Sequence, residues 1–179
     1  RGLGDVYKRQ MVDPVTGILN KFSFENSLRD TLNARDETHE CALLLVDIDN
    51  MKRMNDELGK LVGDMFLENV AEFLTSVFRG SDIIGRVGGD EFMVYVRNLK
   101  SEDWLAGKCS RIQHEIKTIS NENGNINMTC SIGAAVAGKV PVSFEQMYTQ
   151  ADDSLYKAKT RGRGKYVLHY VHKEREVIH

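Results

Sequence analysis

The order of apolar and polar runs predicts a layered α/β (α+β) sandwich. A central five-stranded sheet, mixed or antiparallel, would be flanked by helices. Three features carry that expectation. The run CALLLVDI (41–48) is apolar until it meets Asp47, as a strand covered on both faces must be. Two more runs, DIIGRV (82–87) and EFMVYV (91–96), are joined through Gly88-Gly89, which predicts a hairpin. Long segments with apolar residues three and four apart separate the strand-like runs, the spacing of amphipathic helices.

The elements follow in order. NKFSFENSLRDTLNARDE is expected to be a helix with Phe22, Leu28 and Leu32 on one side. NMKRMNDEL predicts a short helix ending near Gly59. GDMFLENVAEFLTSVF predicts a stronger one, with Phe66, Val70, Phe73, Leu74 and Val77 in the apolar rows. SEDWLAGKCSRIQHEIKTIS predicts a third long helix, N-capped by Ser101. NINMTCSIGAAVAG predicts a strand, SFEQMYTQADDSLYKAKTRG a last helix closed by Gly162, and KYVLHYV a final strand. The tail HKEREVIH is expected to fray. Residues 1–12, before the first patterned segment, read as a leader, residues 13–170 as one domain, and 171–179 as a tail.

Composition narrows the function classes. With 179 residues, 41% hydrophobic and 28% charged, the chain can bury a full core as one ordinary globular domain. A formal net charge of -2 argues against a surface that coats nucleic acid or adheres to membranes, so any anion site must be local. No apolar run is long enough to span a bilayer, and no secretion signal opens the chain. Cys41, Cys109 and Cys130 are odd in number and form no CxxC pair, so they read as reduced core thiols of a cytoplasmic protein.

The chemistry concentrates in two acidic clusters. Glycines at 88 and 89 are expected to supply the positive φ of a type I′ or II′ turn. Turn chemistry does not explain why Asp90 and Glu91 follow at once. Alternation along a strand would aim those two side chains in opposite directions, so one would serve a metal and the other a proton or a separate hydrogen bond. The plainer reading makes them a turn residue and a solvated edge charge. Asp47 and Asp49, an i, i+2 pair, close the buried strand. Carboxylates at the exit of an apolar strand are costly without a compensating cation or donor. A hard cation such as Mg²⁺ would suit them and leave positions open for phosphate. Asp49 is also placed to N-cap the next helix.

These motifs, taken together, resemble the GGDEF domain family, the diguanylate cyclases. The name-giving pentapeptide is Gly88 to Phe92. DPVTGILNKFSF resembles the family's opening turn and first helix, DIDNMKRMNDELGKLVGD its metal and guanine segment, and MTCSIGAAV and ADDSLYKAKTRGRGKY its closing strand and last helix. The resemblance spans roughly Asp13 to Tyr166, with every motif in order. It implies a fold similar to nucleotidyl cyclase and polymerase palm domains, with the GGDEF hairpin at the sheet's edge. It also implies condensation of two GTP molecules into cyclic di-GMP, with release of pyrophosphate. Two Mg²⁺ ions per active site, or Mn²⁺, would be held by the side chains of Asp47 and Asp90 and the carbonyl of Ile48. Glu91 would take a proton or share a metal, and Lys52 would sit near the phosphates. Asn55 and Asp64 match the guanine-reading positions, and the carboxylate suits guanine N1–H and N2–H₂, which adenine lacks. Lys159 and Arg163 match the triphosphate clamp, while a basic helix end is favoured by the macrodipole in any case.

The chain departs from the family at Lys60, where histidine is usual beside the substrate; lysine keeps a donor and adds charge. Met51 stands for a usual phenylalanine. RGSD, Arg79 to Asp82, matches the family's RxxD product-inhibition site. A two-fold symmetric product implies two GTP-loaded domains meeting as a homodimer. An N-terminal sensor outside this chain would govern that encounter. Nucleic acid is not expected as a partner. The rival reading is a catalytically weak receptor or scaffold that binds GTP or cyclic di-GMP.

Overall fold

The computed structural model describes residues 10–172, isolated positions before them, and the backbone of residues 176–178. Among the described residues the elements are β1 (Leu19–Asn20), α1 (Lys21–Asn33), β2 (Cys41–Asp49), α2 (Met51–Leu58), α3 (Lys60–Val77), β3 (Ile83–Arg86), β4 (Glu91–Val96), α4 (Glu102–Gly124), β5 (Thr129–Ala137), α5 (Phe144–Thr160), β6 (Tyr166–Val171) and β7 (Glu176–Ile178). The strands form one mixed sheet in the order β1-β3-β4-β2-β5-β6-β7. β2 is antiparallel to both β4 and β5, while β5 and β6 run parallel across the α5 crossover.

The sheet has seven strands rather than the five expected from sequence. The two additions are edge strands of two and three residues, too short to carry a periodicity of their own. The second lies in the tail that was expected to fray: Glu176–Ile178 pairs with the open edge of β6. Residues 173–175 and 179 of that tail, and most of the 1–12 leader, lie outside the described residues. Val12 does form a bridge to Leu19. The GGDEF hairpin is not at the edge, because β4 is buried between β2 and β3, and β1 lies outside β3.

Alternation in β2 sorts its side chains onto two cores. Ala42, Leu44, Val46 and Ile48 join Phe66, Val70 and Leu74 of α3 and Leu105, Ile112 and Ile116 of α4. Cys41, Leu43 and Leu45 join Phe24 and Leu28 of α1 and Met147, Ala151 and Leu155 of α5. In α1 the buried row is Phe24, Leu28 and Leu32, four apart; Phe22, expected on that row, is 73% exposed because it lies about 200° round the helix from Phe24. Helix ends behave as their caps predict: Ser101 Oγ accepts from Trp104 N, and Ser143 with Gln146 forms a capping box on α5.

Gly133 sets the depth at which α5 sits. A Cβ there would lie 2.2 Å from Ala151 O and 2.2 Å from Leu155 N, both backbone atoms that cannot yield. The helix that carries Lys159 therefore packs directly on the β5 backbone. Gly133→Ala is expected to lift α5 and cost about 1–3 kcal/mol, as overpacking does. A lower melting temperature, with the secondary structure retained by circular dichroism, is the result that checks it.

Candidate active site

Asp47, Asp49 and Glu91 extend from the same sheet face as Leu45 and Met93, the α1/α5 side. Asp47 pairs in register with Glu91 on β4 and with Ser131 on β5. Asp90 lies before β4 begins, so strand alternation does not force it away from Glu91. Its carbonyl accepts from Ile48 N at 2.9 Å, which ties the hairpin loop to the end of β2.

The two carboxylates of β2 are compensated differently. Asp49, 3% exposed, accepts from Thr129 Oγ1 (2.8 Å), Ser131 Oγ (3.0 and 3.2 Å to its two oxygens) and Gly164 N (3.2 Å). It does not cap α2; the capping position is Asn50, in the left-handed region with no side-chain cap. Asp47 accepts a hydrogen bond from the Lys159 ammonium. Burial pushes the Asp47 carboxyl up, the Lys159 bond pulls it down, and the Asp90 charge pushes it up again, leaving it above the ordinary carboxylate range. Burial, then Asp47 and Asp90, likewise hold the Glu91 carboxyl high. Burial disfavours the Lys159 ammonium, but Asp47 outweighs this and raises its pKa.

The hairpin loop differs from the expected primed turn. Neither Gly88 nor Gly89 has positive φ. The loop spans Val87–Asp90, closed by Val87 N to Glu91 O at 2.9 Å. Gly88 is small for another reason: a Cβ there would lie 2.8 Å from Glu91 Oε2. Arg86 braces the loop by donating to Gly89 O (2.7 Å) and to both Asp13 oxygens (3.2 and 3.1 Å).

The guanine-reading candidates form a second group. A Cβ on Gly63 would sit 2.0 Å from Asn55 Oδ1, so the Asn55 amide lies against the backbone beside Asp64. Asp64 is in the first turns of α3 rather than at its cap, and Lys60 Nζ lies 3.3 Å from its Oδ1. Lys52 is exposed, three residues before Asn55 and on the same side of α2. Arg163 is exposed in the loop after α5, with φ of 57°, one residue before the N–H that binds Asp49.

Arg79 and Asp82 stand apart, at the opposite end of the β3–β4 hairpin. Asp82 accepts from the backbone N–H groups of Arg79 (2.9 Å) and Arg97 (3.1 Å). Sequence reasoning missed Thr129, Ser131, Gly164, Arg86 and Asp13. The pair Thr129-x-Ser131, polar at alternate positions in an otherwise apolar strand, was the available signal.

The match to known proteins agrees with this arrangement. The family model for the diguanylate cyclase GGDEF domain matches residues 10–165. The chain belongs to the GGDEF family. It is 35% identical over 160 residues to diguanylate cyclase DgcS of Shewanella oneidensis, covering 88% of this chain and 52% of that protein. It is 32% identical over 160 residues to the probable diguanylate cyclase DgcT of Escherichia coli, covering 87% and 35%. The GGDEF chain thus spans about half, or less, of the length of these relatives. A solved structure of a microbial GGDEF domain with cyclic di-GMP superposes with a TM-score of 0.78 at 30% identity, covering 93% of this chain and 99% of that one. No helix among the described residues is long and apolar enough to cross a membrane.

The acids of this GGDEF site fit a hard divalent cation. Among the described residues no three His, Cys, Asp or Glu side chains close on one ion-sized point, so a cation here would draw on two carboxylates and a backbone carbonyl. What argues for it is charge. Asp47, Asp90 and Glu91 crowd one another, and the Lys159 ammonium opposes them. The crowding predicts that Asp90→Asn stabilises the metal-free protein. Carboxyls held above their unfolded values lose stability as pH rises through the raised pKa, and removing the Asp90 charge relieves that loss. In EDTA the variant should melt higher than wild type near neutral pH, the gap narrowing as pH falls and Asp47 and Glu91 become protonated.

Proposed function

We propose that residues 13–170 form a diguanylate cyclase domain that condenses two GTP into cyclic di-GMP, one pyrophosphate leaving for each bond formed. The observation that carries this reading is the meeting of Asp47, Ile48, Asp90 and Glu91 at one strand end, with Lys159 set against them. Asp47, Asp90 and the Ile48 carbonyl would hold Mg²⁺, two ions per site, or Mn²⁺. When bound, the cations supply polarisation of the α-phosphate and acidify the 3′-hydroxyl. Lys159 would then pass from Asp47 to the triphosphate, joined by Arg163 and, from α2, by Lys52. Glu91, with its raised pKa, suits a proton acceptor or a shared ligand.

Asp64 would accept from guanine N1–H and N2–H₂ while Asn55 reads the base edge. Lys60 offers Asp64 an exposed i, i+4 pair, worth about 0.3–0.5 kcal/mol and readily exchanged for the base. One domain presents one guanine pocket and one acidic centre, so the product requires two copies facing each other. A sensor segment before residue 13 would control that encounter, and product would inhibit at Arg79 and Asp82. The buried free cysteines, Cys109 held up at about 12 by its burial, suit the reducing cytoplasm. The Lys60–Asp64 contact favours one second reading, a slow domain serving as a GTP or cyclic di-GMP receptor.

Incubation with GTP, ATP and Mg²⁺, with products identified by mass, tests the proposal. Cyclic di-GMP from GTP is expected, and Asp90→Ala should abolish it. Saturable binding without product would favour the receptor, and undiminished synthesis by Asp90→Ala would end the metal assignment. A quieter variant addresses the base pocket. Gly63→Ala displaces the ends of two side chains, Asn55 and Met51, and no backbone, so the fold should persist while KM for GTP rises about tenfold, the cost of one misplaced hydrogen-bonding group. Steady-state kinetics beside a melting curve would show it.

A further inference from the structure

The chain has a single tryptophan, and it stands beside the Arg79–Asp82 turn. Trp104 is in the first turn of α4, half-buried, and its backbone N–H donates to the capping Ser101 Oγ at 3.1 Å. The Arg79 guanidinium lies 5.5 Å from its ring centroid and the Lys108 ammonium 5.0 Å. Phe78 meets it edge-on at 6.5 Å. Lys108 also lies over Phe78 and donates to the Val77 carbonyl, and Arg111 lies 5.7 Å over Phe73. Three cations therefore follow the seam between α3 and α4.

Among the described residues no carboxylate forms an ion pair with Arg79, Lys108 or Arg111. Both Asp82 oxygens already accept backbone N–H groups, though each keeps a second lone pair. Burial, then Arg111, Lys100 and Arg79, push the Lys108 pKa down, with Asp82 acting the other way. An aromatic face, a carboxylate acceptor and crowded cations are what a guanine nucleotide needs: a surface to stack on, a partner for N1–H and N2–H₂, and charge for phosphate.

We propose that Trp104 is the stacking wall of the Arg79–Asp82 site and takes a guanine base of a phosphate-bridged dinucleotide. This rests on the product-site reading above. In the free protein the ring holds the Arg79 guanidinium. On binding, the base takes the ring face and Arg79 turns to fork onto a phosphate or the guanine edge, so the ring keeps a partner in both states. Lys108 and Arg111 supply the remaining charge.

The lone indole is its own reporter. Cyclic di-GMP is titrated into the full chain under selective indole excitation, and affinities of wild type, Trp104→Phe, Trp104→Ala and Arg79→Ala are measured by calorimetry, each variant checked by melting. A saturable quench is expected in wild type and absent in Arg79→Ala. Trp104→Ala should bind about tenfold more weakly, and Trp104→Phe within about threefold of wild type, since base stacking tolerates any aromatic face. If Trp104→Ala fails to fold, the quench and the phenylalanine variant decide. Unchanged fluorescence with unchanged Trp104→Ala affinity, while Arg79→Ala abolishes binding, overturns the Trp104 role and leaves the product site standing. Full affinity in Arg79→Ala overturns both.

Discussion

Everything at this site depends on two aspartates buried at the end of β2. A carboxylate taken from water costs several kcal/mol unless donors or cations replace its hydration. Asp49 meets that cost with hydroxyls from β5 and one backbone N–H from the loop after α5. Asp47 meets it with the ammonium of Lys159, from the last turn of α5. Both compensations come in part from one chain segment, residues 159–164. The acids therefore fix where α5 ends and how β6 enters the sheet, and the same contacts hold a lysine and a basic loop over the acidic centre. Gly133 is the complementary condition, because only a bare backbone lets the helix come down far enough.

The two aspartates have different duties because their donor sets differ. Asp49 is held by neutral donors, two hydroxyls and a backbone N–H, which makes it a strut. Asp47 is answered by the Lys159 ammonium, and the neighbouring acids Asp90 and Asp49 raise its pKa. A folded chain does not keep such crowding for its own stability. Stored repulsion of this kind marks a place where an incoming charge completes the structure. The loop that brings Asp90 in is itself braced at a distance, through Arg86 to Asp13, so the N-terminal turn takes part in the geometry of the acids.

The sequence made some of this legible and hid the rest for identifiable reasons. The apolar run of β2, the two strand runs joined through Gly88-Gly89 and the cap at Ser101 depend on local spacing, and the structure agrees with them. Phe22 was misplaced because a helical row must step by three or four, and Phe24 satisfies that step while Phe22 does not. Gly88 was credited with a backbone role when its duty is to leave room for the Glu91 carboxylate, a contact between residues three apart that no turn rule contains. The partners of Asp49 come from positions 129, 131 and 164, far along the chain. Only the strand register brings them together. The tail strand is three residues long and is defined by its partner rather than by its own pattern.

On the proposed reading, the distance between the two sites constrains how product could inhibit. Arg79 and Asp82 lie at one end of the hairpin and the acids at the other, about 20 Å apart along a six-residue strand. That strand is buried along almost its whole length and paired on both sides. A strand held on both sides resists sliding as a unit, and a ligand shifts only equilibria between states that exist. On the proposed reading, inhibition at Arg79 would act on something outside the sheet. The proposed encounter of two domains would be the step it acts on, since a dinucleotide with two bases offers one to each of two copies and would fix their acidic centres out of reach of each other.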